Sequence, residues 1–310
     1  MPGTRWLTFD CYGTIADWNA CMLGALEPIA GARAAALLAA YHRAESILEA
    51  MPSWRPYREV LTEGLALAGR RTGVAVPEGQ AGAFVAAWPS IPLFDDVAEA
   101  LSTLVSFGWR MGILTNCDDD LFALTAASLP VPFEVVVTAE QVRSYKPDLG
   151  HFRRFAELTG ATPDNWIHVA NSWVHDVLPA ARMGLRSVWV DRDHTGHPAK
   201  FAERRVTSMR RLPETVTDVS VLPAWPLPLT LLCRRADDNG VHGYYRGLAH
   251  RRIRADQGKR RRRARRADTR AARLPARRRG QPGQLADLAP HPGTGRSRGG
   301  RVRRDSGVVC

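Results

Sequence analysis

The sequence predicts an α/β fold: a doubly wound parallel sheet core that carries an inserted helical cap. Two observations support this class. From about residue 93 onward, short apolar segments alternate with helical segments over short connections, as in a parallel sheet covered on both faces. Between residues 17 and 88 the chain is instead rich in strong helix formers and has no comparable alternation. The core is therefore expected to start with one strand and to resume after the insert.

The individual elements follow from hydrophobic periodicity and from helix-stop residues. Each strand candidate is a short apolar run that ends at a polar residue, and three consecutive valines at 135–137 are typical of a strand buried on both faces. Gly108, Gly160 and Gly184 each follow a helical pattern and end it. The predicted strands are 6–9, 109–114, 133–137, 165–170 and 187–190, and the predicted core helices are 95–107, 120–128, 151–159 and 177–183.

Prolines and composition set the predicted domain boundaries. Pro89 and Pro92 close the helical segment, which gives a core of residues 1–15 and 93–222 and a cap of residues 16–92. A proline-rich stretch at 223–228 begins a tail of residues 223–310. The tail is rich in Arg, Ala, Gly and Pro, so it is expected to be disordered or non-native, as in a GC-rich gene read out of frame.

Charge is distributed very unevenly along the chain. Residues 231–310 carry 23 Lys and Arg against 6 Asp and Glu, whereas residues 1–230 carry 20 against 25. The basic run at 258–266 suits non-specific binding to phosphate backbones, but no interleaved aromatic residues accompany it. A non-catalytic protein that binds nucleic acid through the tail is therefore kept as the second alternative.

Cysteine usage and hydropathy indicate the compartment. The five cysteines are scattered and form no CxxC pair, which is typical of reduced thiols in the cytoplasm. There is no run of 18 consecutive apolar residues and no basic-then-apolar leader, so neither a membrane span nor a secretory signal is expected.

Polar residues follow four of the predicted strands at the point where each strand ends. Since parallel strands deliver their carboxyl ends to one edge of the sheet, these residues should meet in space. A nearby lysine would keep a carboxylate ionised and nucleophilic, and hydroxyl and amide groups would bind an anionic substrate. The residues are Asp10, Thr14, Thr115, Asn116, Lys146, Asn171, Ser172 and Asp176.

Four motifs, in this order along the chain, resemble those of the haloacid dehalogenase superfamily: FDCYGT, ILTNCDDD, SYKPDLGHF and HVANSWVHDVLPAARMGL. The first motif, with Tyr12, resembles that of the type II 2-haloacid dehalogenases in this superfamily. The resemblance covers residues 4–195. It implies that Asp10 is the nucleophile, that Thr14 orients it, that Lys146 balances its charge and that Asp176 orients water. It also implies substrate contacts from Tyr12, Thr115, Asn116, Asn171 and Ser172, and a halide contact from Arg43, which could otherwise be a surface arginine paired with Glu45 or Glu49.

Two departures from the superfamily's phosphatases bear on the reaction. Their second aspartate, the general acid for an alkoxide leaving group, is replaced by Tyr12, and neutral Asn171 stands where an acid would bind magnesium. The resemblance therefore implies hydrolytic dehalogenation of a small halogenated carboxylate through an ester on Asp10, without metal or cofactor. It also allows a homodimer. The alternative is a phosphatase or another hydrolase of the same superfamily.

Three consecutive acids, Asp118, Asp119 and Asp120, could suggest a metal site. A solvated loop that caps the following helix is the preferred interpretation.

Overall fold

The computed structural model describes residues 4–222, and its centre is a six-stranded sheet in which every neighbouring pair is parallel. The spatial order is β3-β2-β1-β4-β5-β6, so the first strand lies in the middle and the chain winds outward in both directions. The strands are β1 (Trp6–Phe9), β2 (Arg110–Thr115), β3 (Val135–Thr138), β4 (Trp166–Ala170), β5 (Arg186–Val190) and β6 (Arg204–Val206). This confirms the predicted fold class.

Helices fill the connections between the strands. Four of them, α1 (Trp18–Ala30), α2 (Ala34–Glu49), α3 (Tyr57–Thr72) and α4 (Ala83–Ala87), follow β1 and pack on one another. The others are α5 (Val97–Ser106), α6 (Asp119–Ala126), α7 (Ala139–Val142), α8 (Gly150–Thr159), α9 (Leu178–Arg182) and α10 (Leu212–Ser220). An inserted set of helices after β1 thus agrees with the predicted fold class, while the domain limits at residues 16 and 92 stay a prediction.

The sequence missed two features of the core. The edge strand β6 has only three residues, Arg204–Val206, and two of them are arginines, so no apolar run marks it. The predicted helix 177–183 begins earlier, because a π-helical turn, Trp173–Val177, precedes α9. A π-turn is common at functional sites and has no simple sequence period.

Large aromatic side chains fill the interior both next to the sheet and among the inserted helices. Under the sheet, Trp6 and Phe155 meet edge to face at 5.3 Å between ring centroids. Gly112 of β2 lies against the Phe155 ring, and a Cβ built there would be 2.4 Å from the ring. Among the inserted helices, Tyr41 packs edge to face on Phe84 at 4.7 Å. Aromatic packing therefore stabilises both layers.

One helical run, Trp18–Glu49, is long and apolar enough by length and composition to cross a membrane. In the structure this run is divided, because Gly31 has φ 50° and separates α1 from α2, which pack against each other. Met22 and Tyr41 of this pair are completely buried. Core helices of soluble proteins meet the same criteria, so the absence of a membrane span stays a prediction.

Asp118 does not lie in a solvated loop as predicted. Its side chain is 4% exposed, and its two oxygens accept the backbone N–H groups of Tyr57 (2.7 Å) and Arg58 (2.9 Å). These are unpaired donors in the first turn of α3, so a carboxylate there also meets the positive end of the helix dipole. Asp118 precedes α6 but makes no side-chain cap bond to it. It joins the loop after β2 to the start of an inserted helix instead.

The tail and its basic run lie outside the described residues, as do Cys233 and Cys310. Cys11, Cys21 and Cys117 are free thiols.

Candidate active site

The carboxyl ends of β1, β2 and β4 bring the predicted polar residues to one edge of the sheet. Asp10 directly follows β1, Asn116 follows β2 and Asn171 follows β4. These strands are neighbours in the sheet, with β1 between the other two. Nine of the ten predicted site residues line a common cavity of about 480 Å³, and the tenth, Thr14, binds Asp10.

Lys146 connects two carboxylates at the floor of this cavity. Its Nζ donates to Asp10 Oδ1 (2.9 Å), to Asp176 Oδ1 (2.6 Å) and to the carbonyl of Leu114 (2.8 Å). The side chains of Lys146 and Asp176 are each 1% exposed and that of Asp10 is 10% exposed. The ammonium thus has all three of its hydrogens bonded, in a site with little water.

Burial and charge act against each other on this cluster. Burial raises the pKa of Asp10, and the Lys146 ammonium opposes that change. Burial would also raise the pKa of Asp176, but Lys146 and His168 lower it to about 2. Burial alone would lower the pKa of Lys146, yet the two carboxylates raise it above the usual lysine value. The cluster therefore holds a charged lysine and an ionised Asp176, with Asp10 the carboxyl that protonates first as the pH falls.

Thr14 and Asn171 fix the second oxygen of Asp10. Thr14 Oγ1 donates to Asp10 Oδ2 (2.8 Å) and accepts the backbone N–H of Asn171 (2.8 Å). The Asn171 side chain is used elsewhere, because its Oδ1 accepts the N–H of Arg192 (3.0 Å) and its Nδ2 donates to Asp193 (3.2 Å). Both oxygens of Asp10 are thus oriented before any substrate arrives.

Ser172 shapes the π-turn that carries Asp176. Its Oγ accepts the N–H of His175 (3.1 Å) and lies 3.1 Å from His175 Nδ1, and its carbonyl accepts the N–H of Asp176 (3.1 Å). The side chain of Ser172 therefore stabilises the turn, although the residue also lines the cavity.

The hydroxyl of Tyr12 is engaged by the protein. Trp88 Nε1 donates to it (3.0 Å), and it shares a hydrogen bond with Thr125 Oγ1 (3.0 Å). Burial raises the pKa of Tyr12 well above the usual tyrosine value. Tyr12 contributes a wall to the cavity, while its hydroxyl serves the packing of Trp88 and α6.

Thr115 and Asn116 support the site more than they face a ligand. Thr115 Oγ1 donates to Cys117 Sγ (3.6 Å). The amide of Asn116 brackets the backbone of Lys146: Oδ1 accepts its N–H (2.7 Å) and Nδ2 donates to its carbonyl (3.1 Å). Both predicted substrate contacts line the cavity, but their side-chain groups already have partners.

Arg43 of α2 lines the cavity, and its guanidinium has no ion-pair partner within residues 4–222. It is not the surface arginine paired with Glu45 or Glu49 that sequence reasoning weighed as an alternative. Glu45 instead accepts from Tyr41 (3.1 Å) and Tyr57 (2.5 Å). Arg43 therefore presents an uncompensated positive charge to the cavity.

Sequence reasoning missed the acidic side of the cavity. Glu45 and Glu49, four residues apart on α2, both line it. Burial and then the Glu45 carboxylate raise the pKa of Glu49 well above its usual value, and Lys146 acts in the opposite direction. His42 and His175 line the same wall. The spacing of Glu45 and Glu49 is visible in the sequence, but only the position of α2 in the structure shows that they line the same cavity as Asp10.

The donor set does not suit a divalent metal. The position between Asp10 and Asp176, where a cation would balance both carboxylates, is filled by the Lys146 ammonium. Within residues 4–222 no group of three or more His, Cys, Asp and Glu residues is arranged to hold an ion. Neutral Asn171 adds no charged oxygen, which magnesium prefers.

Known proteins share both the sequence pattern and the fold of this chain. A family model described as haloacid dehalogenase-like hydrolase matches residues 4–184. The chain belongs to the haloacid dehalogenase-like hydrolase family. This confirms the family suggested by the four motifs and makes the protein a hydrolase.

The relatives within this family include dehalogenases and phosphatases. (S)-2-haloacid dehalogenase 4A of Burkholderia cepacia is 27% identical over 233 residues, which cover 73% of this chain and 96% of that protein. Phosphoserine phosphatase of Thermus thermophilus is 32% identical over 173 residues, which cover 53% of this chain and 68% of that protein. The crystal structure of a dehalogenase matches with a TM-score of 0.62 at 21% identity, over 69% of this chain and 98% of that one, and shares its fold.

Proposed function

We propose that this family member hydrolyses the carbon–halogen bond of a small 2-haloacid through an ester formed on Asp10, without a metal. The observation that carries the proposal is the pair of residues Asp10 and Tyr12. Asp10 is held by Lys146 and Thr14 as a nucleophile, and the residue two positions later has no free acidic proton to give to a leaving group. A halide leaves without a proton, whereas an alkoxide needs one.

In the first step a carboxylate oxygen of Asp10 attacks C2 of the substrate. The new carbon–oxygen bond forms as the carbon–halogen bond breaks, and the halide leaves with the electron pair, with inversion at carbon. Arg43 is the unpaired cation of the cavity and is suited to receive an anion, either the halide or the substrate carboxylate. The Lys146 ammonium favours the ionised form of Asp10 that this step needs.

In the second step water hydrolyses the ester. The water oxygen bonds to Cγ of Asp10 and the bond from Cγ to the substrate oxygen breaks. That oxygen leaves as the hydroxyl of a 2-hydroxy acid, Asp10 returns as a carboxylate, and one proton is released to solvent. With a pKa of about 2, Asp176 is ionised and acts here as the acceptor that orients the water.

The test is halide release from L-2-chloropropionate in the presence of a chelator, combined with intact mass measurement after rapid quenching. We expect chloride release and a mass increase on Asp10, and we expect Asp10→Asn to lose at least about a thousandfold in turnover, as nucleophile loss typically does. Asp148→Asn, on the loop before α8, is the matched control. Chloride release that depends on magnesium, or turnover retained by Asp10→Asn, would contradict the proposal.

A second candidate is a phosphatase, which the phosphoserine phosphatase relative favours. It predicts hydrolysis of phosphate monoesters, dependent on magnesium, and no halide release from L-2-chloropropionate. The same preparation, assayed with O-phosphoserine with and without magnesium, separates the two candidates.

A further inference from the structure

A chain of buried hydrogen bonds continues from Asp176 into the sheet, beyond the groups used above. His168 Nε2 lies 3.1 Å from Asp176 Oδ1, and His168 Nδ1 lies 2.8 Å from Thr8 Oγ1. Trp166 Nε1 donates to the same Thr8 oxygen at 2.7 Å. Thr8 and His168 are completely buried and Trp166 is 1% exposed. None of these three is among the residues that line the cavity.

The register of the sheet creates this chain. Thr8 of β1 and His168 of β4 are directly paired in the parallel ladder, and Trp166 is two residues before His168 on the same strand. Residues two apart on a strand point to the same face, so Trp166 and His168 both reach Thr8. The π-turn after β4 then brings Asp176 within hydrogen-bond distance of His168 Nε2.

One set of hydrogen-bond directions satisfies every member of the chain. The Trp166 indole can only donate, so Thr8 Oγ1 accepts from it. The ionised Asp176 can only accept, so His168 Nε2 donates to it. His168 Nδ1 is then an acceptor, and the Thr8 hydroxyl donates to it. One direction of hydrogen bonding thus runs from Trp166 through Thr8 and His168 to Asp176.

This arrangement leaves one oxygen of Asp176 for another partner. Oδ1 accepts from both Lys146 and His168. Oδ2 is buried, and no donor within the described part of the chain reaches it. Asp176 itself lines the cavity. A buried carboxylate oxygen without a donor is costly unless a water or ligand hydrogen reaches it.

We propose that His168, supported by Thr8, is a positioning residue that fixes the Asp176 carboxylate so that its Oδ2 holds the water that hydrolyses the Asp10 ester. This role rests on the proposed function, because it needs an ester on Asp10. His168 has no part in the first step, in which Lys146 and Thr14 orient Asp10. Loss of the His168 bond therefore slows the second step selectively.

Two variants of similar size separate positioning from packing. In His168→Gln the side-chain amide nitrogen extends as far as Nε2 of the histidine ring, so the hydrogen bond to Asp176 is kept. His168→Asn reaches only as far as Nδ1, so it keeps a polar contact with Thr8 and loses the bond to Asp176. Thr8→Val removes the hydroxyl that orients the ring and leaves His168 in place. Thermal melting of each variant checks that it folds.

The experiment is rapid-quench kinetics with L-2-chloropropionate, in which chloride and the fraction of enzyme carrying the ester are measured together. We expect His168→Asn to lower steady-state turnover about tenfold or more, the loss typical when a charged group loses a hydrogen bond. The first-turnover chloride burst should stay within about twofold of the parent, and the ester should accumulate. His168→Gln should recover most of the turnover, and Thr8→Val should show a smaller effect in the same direction.

Equal losses in His168→Asn and His168→Gln, or a burst that falls in step with turnover, would overturn the positioning role. Failure of the proposed function gives a different result, since the parent protein itself would then form no ester. In that case the assignment to ester hydrolysis falls as well. If His168→Asn does not fold, the comparison of Thr8→Val with the parent decides by the same ester fraction.

Discussion

At the scale of single residues, the cavity combines opposite charges from two sources. The sheet edge supplies Asp10, Lys146 and Asp176, which are mutually ion-paired. Helix α2 supplies Arg43, whose charge is unpaired, and Glu49, whose pKa is raised by burial and by Glu45. An anionic ligand would be attracted by Arg43 and, once Glu49 loses its proton, repelled by the Glu49 carboxylate.

We expect substrate affinity to depend on pH through Glu49. Because its pKa lies above the usual value, the proton is present at low pH and is lost as the pH rises, which adds a negative charge near an anionic substrate. Two unit charges about 10 Å apart repel by about 1.7 kcal/mol at an effective dielectric constant of 20, so KM should rise by roughly fifteen- to twentyfold. Glu49→Gln should make KM nearly constant over the same range.

The measurement is KM for L-2-chloropropionate from acid to alkaline pH. Glu59→Gln, an exposed position on α3, is the matched control and should follow the parent protein. An unchanged pH dependence of KM in Glu49→Gln would show that another group is responsible.

At the scale of elements, close packing between β2 and α8 depends on one glycine. A Cβ at Gly112 would be 2.4 Å from Phe155 and 3.2 Å from the methyl group of Thr8. Real Cβ atoms do not approach so closely, so the ring and the strand would have to move apart. Gly24, on the exposed side of α1, has open space where its Cβ would be.

We expect Gly112→Ala and Gly24→Ala to change stability in opposite directions. Gly112→Ala should lower the free energy of unfolding by about 1–3 kcal/mol through overpacking. Gly24→Ala should raise it by about 0.5–1 kcal/mol, since alanine loses less backbone entropy in a helix. Urea unfolding at equilibrium measures both, and a stable Gly112→Ala protein would mean that α8 can shift without cost.

Sequence reasoning performs best where chemistry coincides with an element boundary. Asp10 and the residues around Asn116 and Asn171 follow apolar runs, so the rule for parallel strands was enough to bring them together. Glu49, His168 and Asp118 gave no such signal. The position of Glu49 at the cavity depends on how α2 lies over the sheet. The contact of His168 with Thr8 depends on strand register, and the role of Asp118 depends on how closely α3 approaches it. All three are tertiary facts that hydrophobic periodicity does not contain.

At the scale of the whole molecule, α10 completes the hydrophobic core. Leu212, Val216 and Val219 are fully buried. Arg186 of β5 donates to the carbonyls of Ser220 (2.9 Å), the last residue of α10, and of Leu222 (3.1 Å), just beyond it. A cationic side chain on these unpaired carbonyls stabilises the helix end. The cytoplasmic location and a homodimer stay predictions.

We expect a chain that ends at residue 230 to keep its activity and to melt within about 2 °C of the full chain, because α10 and its contacts to Arg186 are retained. The deletion removes 23 Lys and Arg and 6 Asp and Glu, so any binding to nucleic acid should weaken strongly. A chain that ends at residue 211 is the control and should not fold stably, since it loses Leu212, Val216 and Val219. Scanning calorimetry measures the melting points and the chloride assay measures the activity. A melting point many degrees lower for the chain that ends at residue 230 than for the full chain would assign the tail to the fold.

The bond between Asp118 and the start of α3 has a consequence for how such a protein can diverge. The cluster of Asp10, Lys146 and Asp176 lies at the carboxyl edge of the sheet, while Arg43, Glu45 and Glu49 lie together on α2. Asp118 anchors the insert through backbone N–H groups, and that interaction does not depend on which side chains α2 carries. Under the proposed function, we expect that selection can exchange the residues of α2, and with them the preferred substrate, while the cluster around Asp10 is inherited unchanged.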